Sequence, residues 1–277
     1  MIREPAVEGK FYGGNRKAVF QLIEEIERKN RYDDPDQERG RTIGAVLPHA
    51  GHFYSGWQTI PFFRYLLKRE EIPETFVIIN PNHLGAGSAV SLDPHEVWRN
   101  SIGMIDTDME FGAHLPYPAD ASAQKNEHSA EVIIPYLQYF FREYTFKILT
   151  VCLKDQTYET ASKLALDLHV AEETTGRNIQ IIASSDFSHF LSPEQGYQQD
   201  QYVVDMIGKR DVSGIEQVIR EKHISVCGYG PIMTLMEYAK REDQKFRTNI
   251  LARGHSGEVH PSSEVVDYIS ILFSTAT

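Results

Sequence analysis

Gly44-Ala45-Val46-Leu47-Pro48-His49-Ala50-Gly51 is the stretch that decides the fold of this chain. Its first four residues are small or apolar and predict a strand, whereas Pro48 and the small residues after His49 predict a turn at the strand's end. In open α/β sheets, ligands bind in the crevice beyond the carboxyl ends of the strands. His49 is therefore a candidate functional residue, although a loop histidine bonded to the backbone is the simpler interpretation of one such residue.

Two further strand-like runs end in the same way. Residues 76–79 lead into Asn80-Pro81-Asn82-His83, and residues 179–183 lead into Ser184-Ser185-Asp186-Phe187-Ser188-His189. Neighbouring strands lie only about 5 Å apart, so imidazoles from two or three strand ends can converge on one ion. A metal site at this edge of the sheet is the leading hypothesis.

The alternation of apolar patterns predicts an α/β fold with a central mixed, mostly parallel sheet flanked by helices. Strands are predicted at about 43–48, 75–80, 89–92, 146–153, 179–184, 248–253 and 264–273. Helices are predicted at about 16–30, 57–67, 106–114, 125–142, 157–173, 194–208, 211–222 and 231–241. Neither a composition break nor an internal repeat divides the chain, so residues 1–277 are expected to form a single domain.

Prolines and polar segments add local expectations. Pro61 is expected near the first turn of its helix, and Pro135 is expected either to kink the 125–142 helix or to mark its first turns. The stretch from Pro5 to Asn15 predicts an irregular segment lying on the body of the protein. The charged stretch from Lys29 to Arg41 predicts an exposed loop.

Composition and charge exclude some classes of partner. The chain of 277 residues carries 28 basic and 39 acidic residues, a net charge of −11, and this disfavours nucleic acid, whose phosphates need clustered Lys and Arg. No apolar run approaches the roughly 20 residues that span a bilayer, so no membrane is expected. The first residues carry no signal-peptide pattern, and a cytoplasmic location is predicted.

The two cysteines have different surroundings and do not form a disulfide framework. Cys152 lies in an apolar run and is predicted to pack in the core. Cys227 precedes Gly228 and a helix, where the pKa of a thiol falls and the metal-binding thiolate is favoured. The alternative for Cys227 is a small buried hydrophobe in a turn.

Asp186 and His189 are three residues apart after their strand. If the segment turns helically, both side chains lie on one face, and His189 would be a general acid or base oriented by Asp186. The alternative is a capping aspartate and a surface histidine. Tyr54, close to His49, is expected to offer its hydroxyl to a bound ligand.

Glu127 and His128 are expected either to reach the same crevice or to cap the following helix. His52 is interpreted as a nearby surface residue or as one lying behind the site, and His255 favours a surface role. The remaining histidines show no converging context and are expected to be structural or surface residues: His95, His114, His169, His223 and His260.

Two imidazoles with a thiolate or a carboxylate suit Fe(II), copper or zinc. The chain has no metalloprotease helix motif with two histidines four residues apart, no Walker loop and no dinucleotide fingerprint. Residue chemistry therefore favours a metal site without selecting the metal.

With these residues in view, the chain resembles the Memo family, named for a mediator of receptor-driven cell motility. Ordered blocks along nearly the whole length carry the resemblance. They are Arg3-Glu4-Pro5 with Gly9-Lys10-Phe11-Tyr12, Pro48-His49-Ala50-Gly51 with Tyr54, Asn82-His83, Glu127-His128-Ser129 with Pro135-Tyr136, Ser184-Ser185-Asp186-Phe187-Ser188-His189, and Cys227-Gly228 with Pro231-Ile232.

The resemblance implies the fold of the class III extradiol dioxygenases, which cleave aromatic diols with a non-haem iron. It implies metal ligation by His49, His83 and Cys227, with Asp186 and His189 lining the site. Cys227 stands where those dioxygenases have a carboxylate, and a softer thiolate favours copper or a different iron redox poise. The resemblance also implies a radical-SAM protein among the pathway partners of similar bacterial and archaeal proteins.

Three functions are therefore expected in order. The first is a redox protein that binds iron or copper and acts on a small molecule. The second is a module that binds a peptide or a protein in the same crevice without turnover. The third is zinc-dependent hydrolysis with His189 as the base.

Overall fold

A computed structural model describes residues 1–29, 32 and 40–276. The strands are β1 (Ile2–Arg3), β2 (Thr42–Leu47), β3 (Thr75–Pro81), β4 (Val90–Leu92), β5 (Val97–Asn100), β6 (Gly103–Asp106), β7 (Lys147–Leu153), β8 (Ile179–Ser184), β9 (His189–Leu191), β10 (Arg247–His255) and β11 (Val265–Ser274). The helices are α1 (Arg16–Lys29), α2 (His52–Arg69), α3 (Met109–Gly112), α4 (Ala121–Gln124), α5 (Ile134–Phe140), α6 (Tyr158–Thr175), α7 (Pro193–Lys209), α8 (Val212–Lys222) and α9 (Tyr229–Glu242), with a short 3-10 turn at Ser256–Glu258.

The main sheet runs in the order β10-β11-β2-β8-β3-β7-β4, with β9 paired to β11. The four central strands β2, β8, β3 and β7 are parallel to one another, whereas β11 pairs antiparallel with β2 and β10, and β4 pairs antiparallel with β7. The predicted α/β fold with a mostly parallel mixed sheet flanked by helices is confirmed. Because β2, β8 and β3 are adjacent and parallel, the three histidine-bearing loops leave the sheet at the same edge.

Helices cover both faces of this sheet, because successive strand residues point to opposite sides. Val77 and Ile79 pack in one apolar cluster with α6, α7, α8 and α9. Phe76 and Ile78 pack in a second cluster with α1, α2 and α5. The central strands are therefore buried on both faces, as their continuous apolar runs require.

From residue 146 to the end, the predicted strands and helices match the structure to within two residues at each boundary. The region between residues 94 and 142 does not match. Residues 97–106 form the hairpin β5-β6, which pairs with β1 in a separate three-stranded sheet that the sequence analysis misses. The helix predicted at 106–114 is limited to Met109–Gly112, and Asp108 sets its start by accepting a hydrogen bond from Phe111 N.

The position of Pro135 in its helix is predicted correctly, and that of Pro61 is predicted wrongly. The helix expected over 125–142 covers only Ile134–Phe140, with Pro135 in its first turn as one of the two alternatives required. Helix α2 begins at His52 instead of after Gly56, so Pro61 lies in its interior. A proline there costs about 3 kcal/mol, which the burial of most of the helix's side chains offsets.

The predicted exposed loop from Lys29 to Arg41 falls mainly on residues 30, 31 and 33–39, which lie outside the described residues. In the part of the chain that the structure describes, every helix is too short or too polar to traverse a bilayer.

Candidate metal centre

His49, His83 and Cys227 come together beyond the carboxyl ends of β2, β8 and β3. His49 follows β2 by two residues, His83 follows β3 by two, and Cys227 lies two residues before α9. One ligand atom from each of the three lies within 4.8 Å of the other two. The fold thus brings His49 and Cys227, which are 178 positions apart in the chain, into one group.

The tautomer of His49 is fixed by a chain of hydrogen bonds. The Ser184 hydroxyl donates its single hydrogen to the carbonyl oxygen of Ser129 at 2.7 Å. Ser184 Oγ, 2.8 Å from His49 Nδ1, can then only accept, so Nδ1 carries the ring proton. The bare Nε2 of His49 lies 3.3 Å from Cys227 Sγ. His49 therefore offers its lone pair to the interior of the group.

A carboxylate orients His83 in the same sense. Glu127 Oε1 lies 2.9 Å from His83 Nδ1, and Oε2 accepts the backbone N–H of His83 at 2.8 Å. Burial opposes ionisation of Glu127, but hydrogen bonds from His83 and Ser129 lower its pKa to about 2. The ionised carboxylate accepts a hydrogen bond from Nδ1–H, so the ring proton stays on Nδ1 and Nε2 of His83 keeps its lone pair. This arrangement is typical of metal-binding histidines.

Cys227 is half-buried, and its sulfur contacts the Asp186 backbone. The N–H of Asp186 donates to Sγ at 3.2 Å. Burial, together with the neighbouring Asp186 carboxylate, raises the pKa of the Cys227 thiol. The predicted lowering of this pKa is wrong for the metal-free protein, because α9 starts only at Tyr229 and desolvation of the thiolate outweighs the helix terminus.

The predicted helical pairing of Asp186 with His189 is wrong. His189 begins strand β9, and the turn before it is not helical. The Asp186 carboxylate instead accepts the backbone N–H of His49 at 2.8 Å, and burial raises the pKa of Asp186 to about 6. His189 Nδ1 lies 2.8 Å from the carbonyl oxygen of Ser225 and must donate to it. Asp186 therefore positions the His49 loop, and Ser225 orients His189.

A cleft of about 290 Å³ opens beside the group. Its lining residues are Lys10, Phe11, Ala50, Gly51, Tyr54, His128, Asp186, His189 and Val266. Tyr54 and His128 thus line the cleft, which for His128 is one of its two predicted alternatives. Glu127 does not reach the cleft, because it is fully buried behind His83. The His128 ring stacks on His83, with ring centroids 4.8 Å apart.

Several residues around the group were missed or misplaced from sequence. Ser184 lies within a block already singled out, yet its bond to His49 depends on how β8 pairs with β2. Lys10 and Phe11 belong to the N-terminal block, whose place over the cleft no local pattern indicates. His52, expected at the surface or behind the site, is fully buried, with Nε2 2.8 Å from Val132 O. The early start of α2 turns His52 inward.

A second cluster of metal-binding residue types, His169, Glu172 and Glu242, lies on α6 and α9. His169 was expected to be structural. Glu242 pairs with Arg41 and with His169 Nδ1, and Glu172 accepts the hydroxyl of Tyr238. These partners occupy the carboxylates, which explains the cluster without an ion.

Comparisons with known proteins match nearly the whole chain. The sequence model of the family described as "Memo-like protein" matches residues 3–272. A "MEMO1 family protein" of Methanococcoides burtonii is 37% identical over 274 residues, covering 98% of this chain and 99% of its own length. Its counterpart in Archaeoglobus fulgidus is 36% identical over 275 residues, with 98% and 99% covered.

Among solved structures, an uncharacterized protein of Escherichia coli K12 is similar with a TM-score of 0.49 and 11% identity, covering 83% of this chain and 99% of its own. Family membership rests on the sequence comparisons, which span the chain at well over 30% identity. The blocks that hold His49, His83, Glu127, His128 and Cys227 come together at one end of the main sheet. The chain therefore belongs to the family of Memo-like proteins.

Proposed function

We propose that this protein binds a redox-active metal ion, iron or copper, through His49, His83 and Cys227. The observation that carries the proposal is the approach of three donor atoms to within 4.8 Å of one another, with both imidazoles protonated on the outer nitrogen. Such preorganisation lowers the cost of assembling the ligands around an ion.

The donor set fits these metals. Two imidazoles and one sulfur suit copper and iron, and zinc accepts the same ligands. A coordinated thiol is deprotonated outright, so metal loading reverses the raised pKa of Cys227 and releases a proton. A bound iron or copper ion would supply one-electron chemistry and a coordination position for substrate.

The surrounding residues support a small molecule or a peptide end as the ligand of the cleft. His189 turns its free Nε2 away from Ser225 and is proposed as the acid or base that holds a substrate proton. Tyr54 and His128 form the walls, and Asp186 anchors the loop of His49. The free thiols of Cys152 and Cys227 suit a reducing compartment such as the cytoplasm, where a radical-SAM pathway partner is proposed.

Absorption spectroscopy of protein loaded anaerobically with copper or cobalt tests the proposal. A thiolate ligand should give an intense charge-transfer band, and Cys227→Ser should abolish it. Cys152→Ala is the matched control, because that cysteine is fully buried in the core and should leave the band intact. A His49→Ala, Cys227→Ser double variant that keeps its full metal content would refute the assignment. Activity with zinc but with neither redox metal would instead favour hydrolysis.

A second candidate function, docking of a peptide or a protein without turnover, is favoured by exposed aromatic side chains that contact residues of the cleft, Phe53 against Tyr54 and Phe190 against His189. Phe53 is 54% exposed and Phe190 is 71% exposed. Docking of this kind should survive removal of the metal by a chelator. Substrate or oxygen consumption that stops on chelation would favour the redox function over this one.

A further inference from the structure

The first twelve residues form an N-terminal strap (Met1–Tyr12) that is hydrogen-bonded to the loop of residues 124–131, whose Glu127 side chain contacts His83. Arg3, on β1, is 3% exposed, and its Nη1 donates to Glu131 Oε2 at 2.8 Å. Its Nη2 donates to the carbonyl oxygens of Gln124 at 2.9 Å and Glu127 at 2.8 Å. One guanidinium therefore fixes three points of the same loop.

Glu131 fastens the strap from the opposite side. Its carboxylate accepts the backbone N–H groups of Ala6 and Val7, at 2.8 and 3.0 Å, and the hydroxyl of Tyr12 at 2.9 Å. With Arg3 included, four donors from the strap converge on this one buried side chain. A buried ion pair with this many partners keeps its geometry, because loss of one partner leaves an uncompensated charge.

The loop held in this way supplies the groups that orient the metal centre. The side chain of Glu127 fixes His83, while its carbonyl oxygen is held by Arg3. Phe11, at the other end of the strap, packs on the His128 ring with centroids 4.8 Å apart, and its carbonyl oxygen accepts the N–H of His52 at 2.7 Å. The strap thus contacts both the loop that orients His83 and the first residue of α2, three residues after His49.

We propose that Arg3 and Glu131 are positioning residues for the metal centre, acting through Glu127 to hold His83 with Nδ1 protonated and Nε2 free. Their role in metal affinity rests on the proposed function, whereas their role in fixing the His83 tautomer does not. The planar fork of arginine is required, because Nη1 and Nη2 reach different partners. Lysine keeps the charge but offers a single point donor on a shorter side chain.

The test compares Arg3→Lys with Arg177→Lys in the full chain. Arg177 lies 3.2 Å from the fully buried Asp108, beside the amino end of β8, at the sheet edge away from the centre. Both changes should lower stability. Only Arg3→Lys should alter the ¹⁵N imidazole resonances of His83, assigned with a His83→Asn variant, from a single Nδ1–H tautomer to a mixture. Glu131→Gln should do the same and replaces Arg3→Lys if that variant does not fold.

In parallel, cobalt titration should show affinity weakened about tenfold by Arg3→Lys and unchanged by Arg177→Lys. A folded Arg3→Lys variant with the wild-type His83 tautomer overturns the inference, as does an equal tautomer change in Arg177→Lys. If wild-type protein binds no cobalt, copper or iron, the proposed function fails, and the tautomer measurement on metal-free protein still decides the role of Arg3.

Discussion

Asp200 and Asp267 place two buried carboxyl groups in hydrogen-bonding contact with each other, against the loop that carries Asp186 and His189. Asp200 accepts the N–H and the hydroxyl of Ser188, so it remains the acceptor of the pair. Burial and the charge of Asp200 raise the pKa of Asp267 to about 8. The native pair therefore holds one proton at neutral pH.

The sign of the resulting pH dependence follows from linkage. An unfolded aspartate titrates near pH 3.9, so between that pH and about 8 only the native state holds the Asp267 proton. The contribution of this group to stability is full below the lower value and is lost as the pH rises to the higher one. The amide of Asp267→Asn donates to Asp200 at every pH. The free energy of unfolding of this variant should therefore rise relative to that of wild type by up to about 1.4 kcal/mol per pH unit in this window.

Denaturant unfolding of wild type and Asp267→Asn at pH 5, 6.5, 8 and 9.5 measures the difference in their free energies of unfolding. This difference should grow up to about pH 8 and then level off. The control is Asp205→Asn, which replaces an exposed carboxylate on the same α7 helix. The free energy of unfolding of this variant should change with pH as that of wild type does. A wild-type and Asp267→Asn difference that is constant with pH would contradict the shared proton.

Residue types were predictable at this scale, but their partners were not. His49, His83 and Cys227 could be selected because strand ends and a helix start are local patterns. The role of Ser184 could not, because its contact with His49 depends on the register between β8 and β2. Asp186 was selected for its spacing to His189. In the structure its carboxylate accepts a hydrogen bond from the backbone N–H of His49 instead.

At the scale of elements, α7 shows how one missing Cβ lets a helix approach a strand. A Cβ on Gly196 would lie 2.1 Å from Asp267 Oδ2, on β11. Alanine normally stabilises a helix relative to glycine by about 0.5–1 kcal/mol. Gly196→Ala should instead destabilise the protein by about 2 kcal/mol, because the added methyl group must displace either the helix or the buried Asp267 carboxyl group.

Gly208 on the same helix is the matched control, since a Cβ there meets nothing within 4 Å. Gly208→Ala should leave the free energy of unfolding unchanged or raise it slightly. Chemical denaturation of the two variants distinguishes these signs. Equal effects from both substitutions would mean that α7 can shift on β11 without cost.

The elements that the sequence predicted well are those with their own amphipathic period or apolar run. The elements between residues 94 and 142 lack this signal, because the β5-β6 hairpin is defined by pairing with β1 at the far end of the chain. The irregular turns before α5 are likewise held by Arg3 and Glu131, which no local pattern reveals.

At the scale of the whole molecule, the two apolar clusters lie on opposite faces of one sheet, and the predicted single domain requires that they unfold together. Both tryptophans, Trp57 and Trp98, belong to the cluster with α1, α2 and α5. Leu164, on α6, is fully buried in the other cluster. Leu164→Ala should lower the free energy of unfolding by about 3 kcal/mol.

If the chain is one cooperative unit, this loss should move the tryptophan fluorescence transition in guanidinium as far as it moves the far-ultraviolet circular dichroism, although neither tryptophan lies on the altered face. Leu66→Ala, on α2, is the matched change in the tryptophan-bearing cluster and should shift both signals equally. A Leu164→Ala protein whose fluorescence midpoint stays at the wild-type value would show that the two faces unfold separately. The strand ends that carry His49 and His83 belong to the shared sheet, so their geometry would then depend on both units.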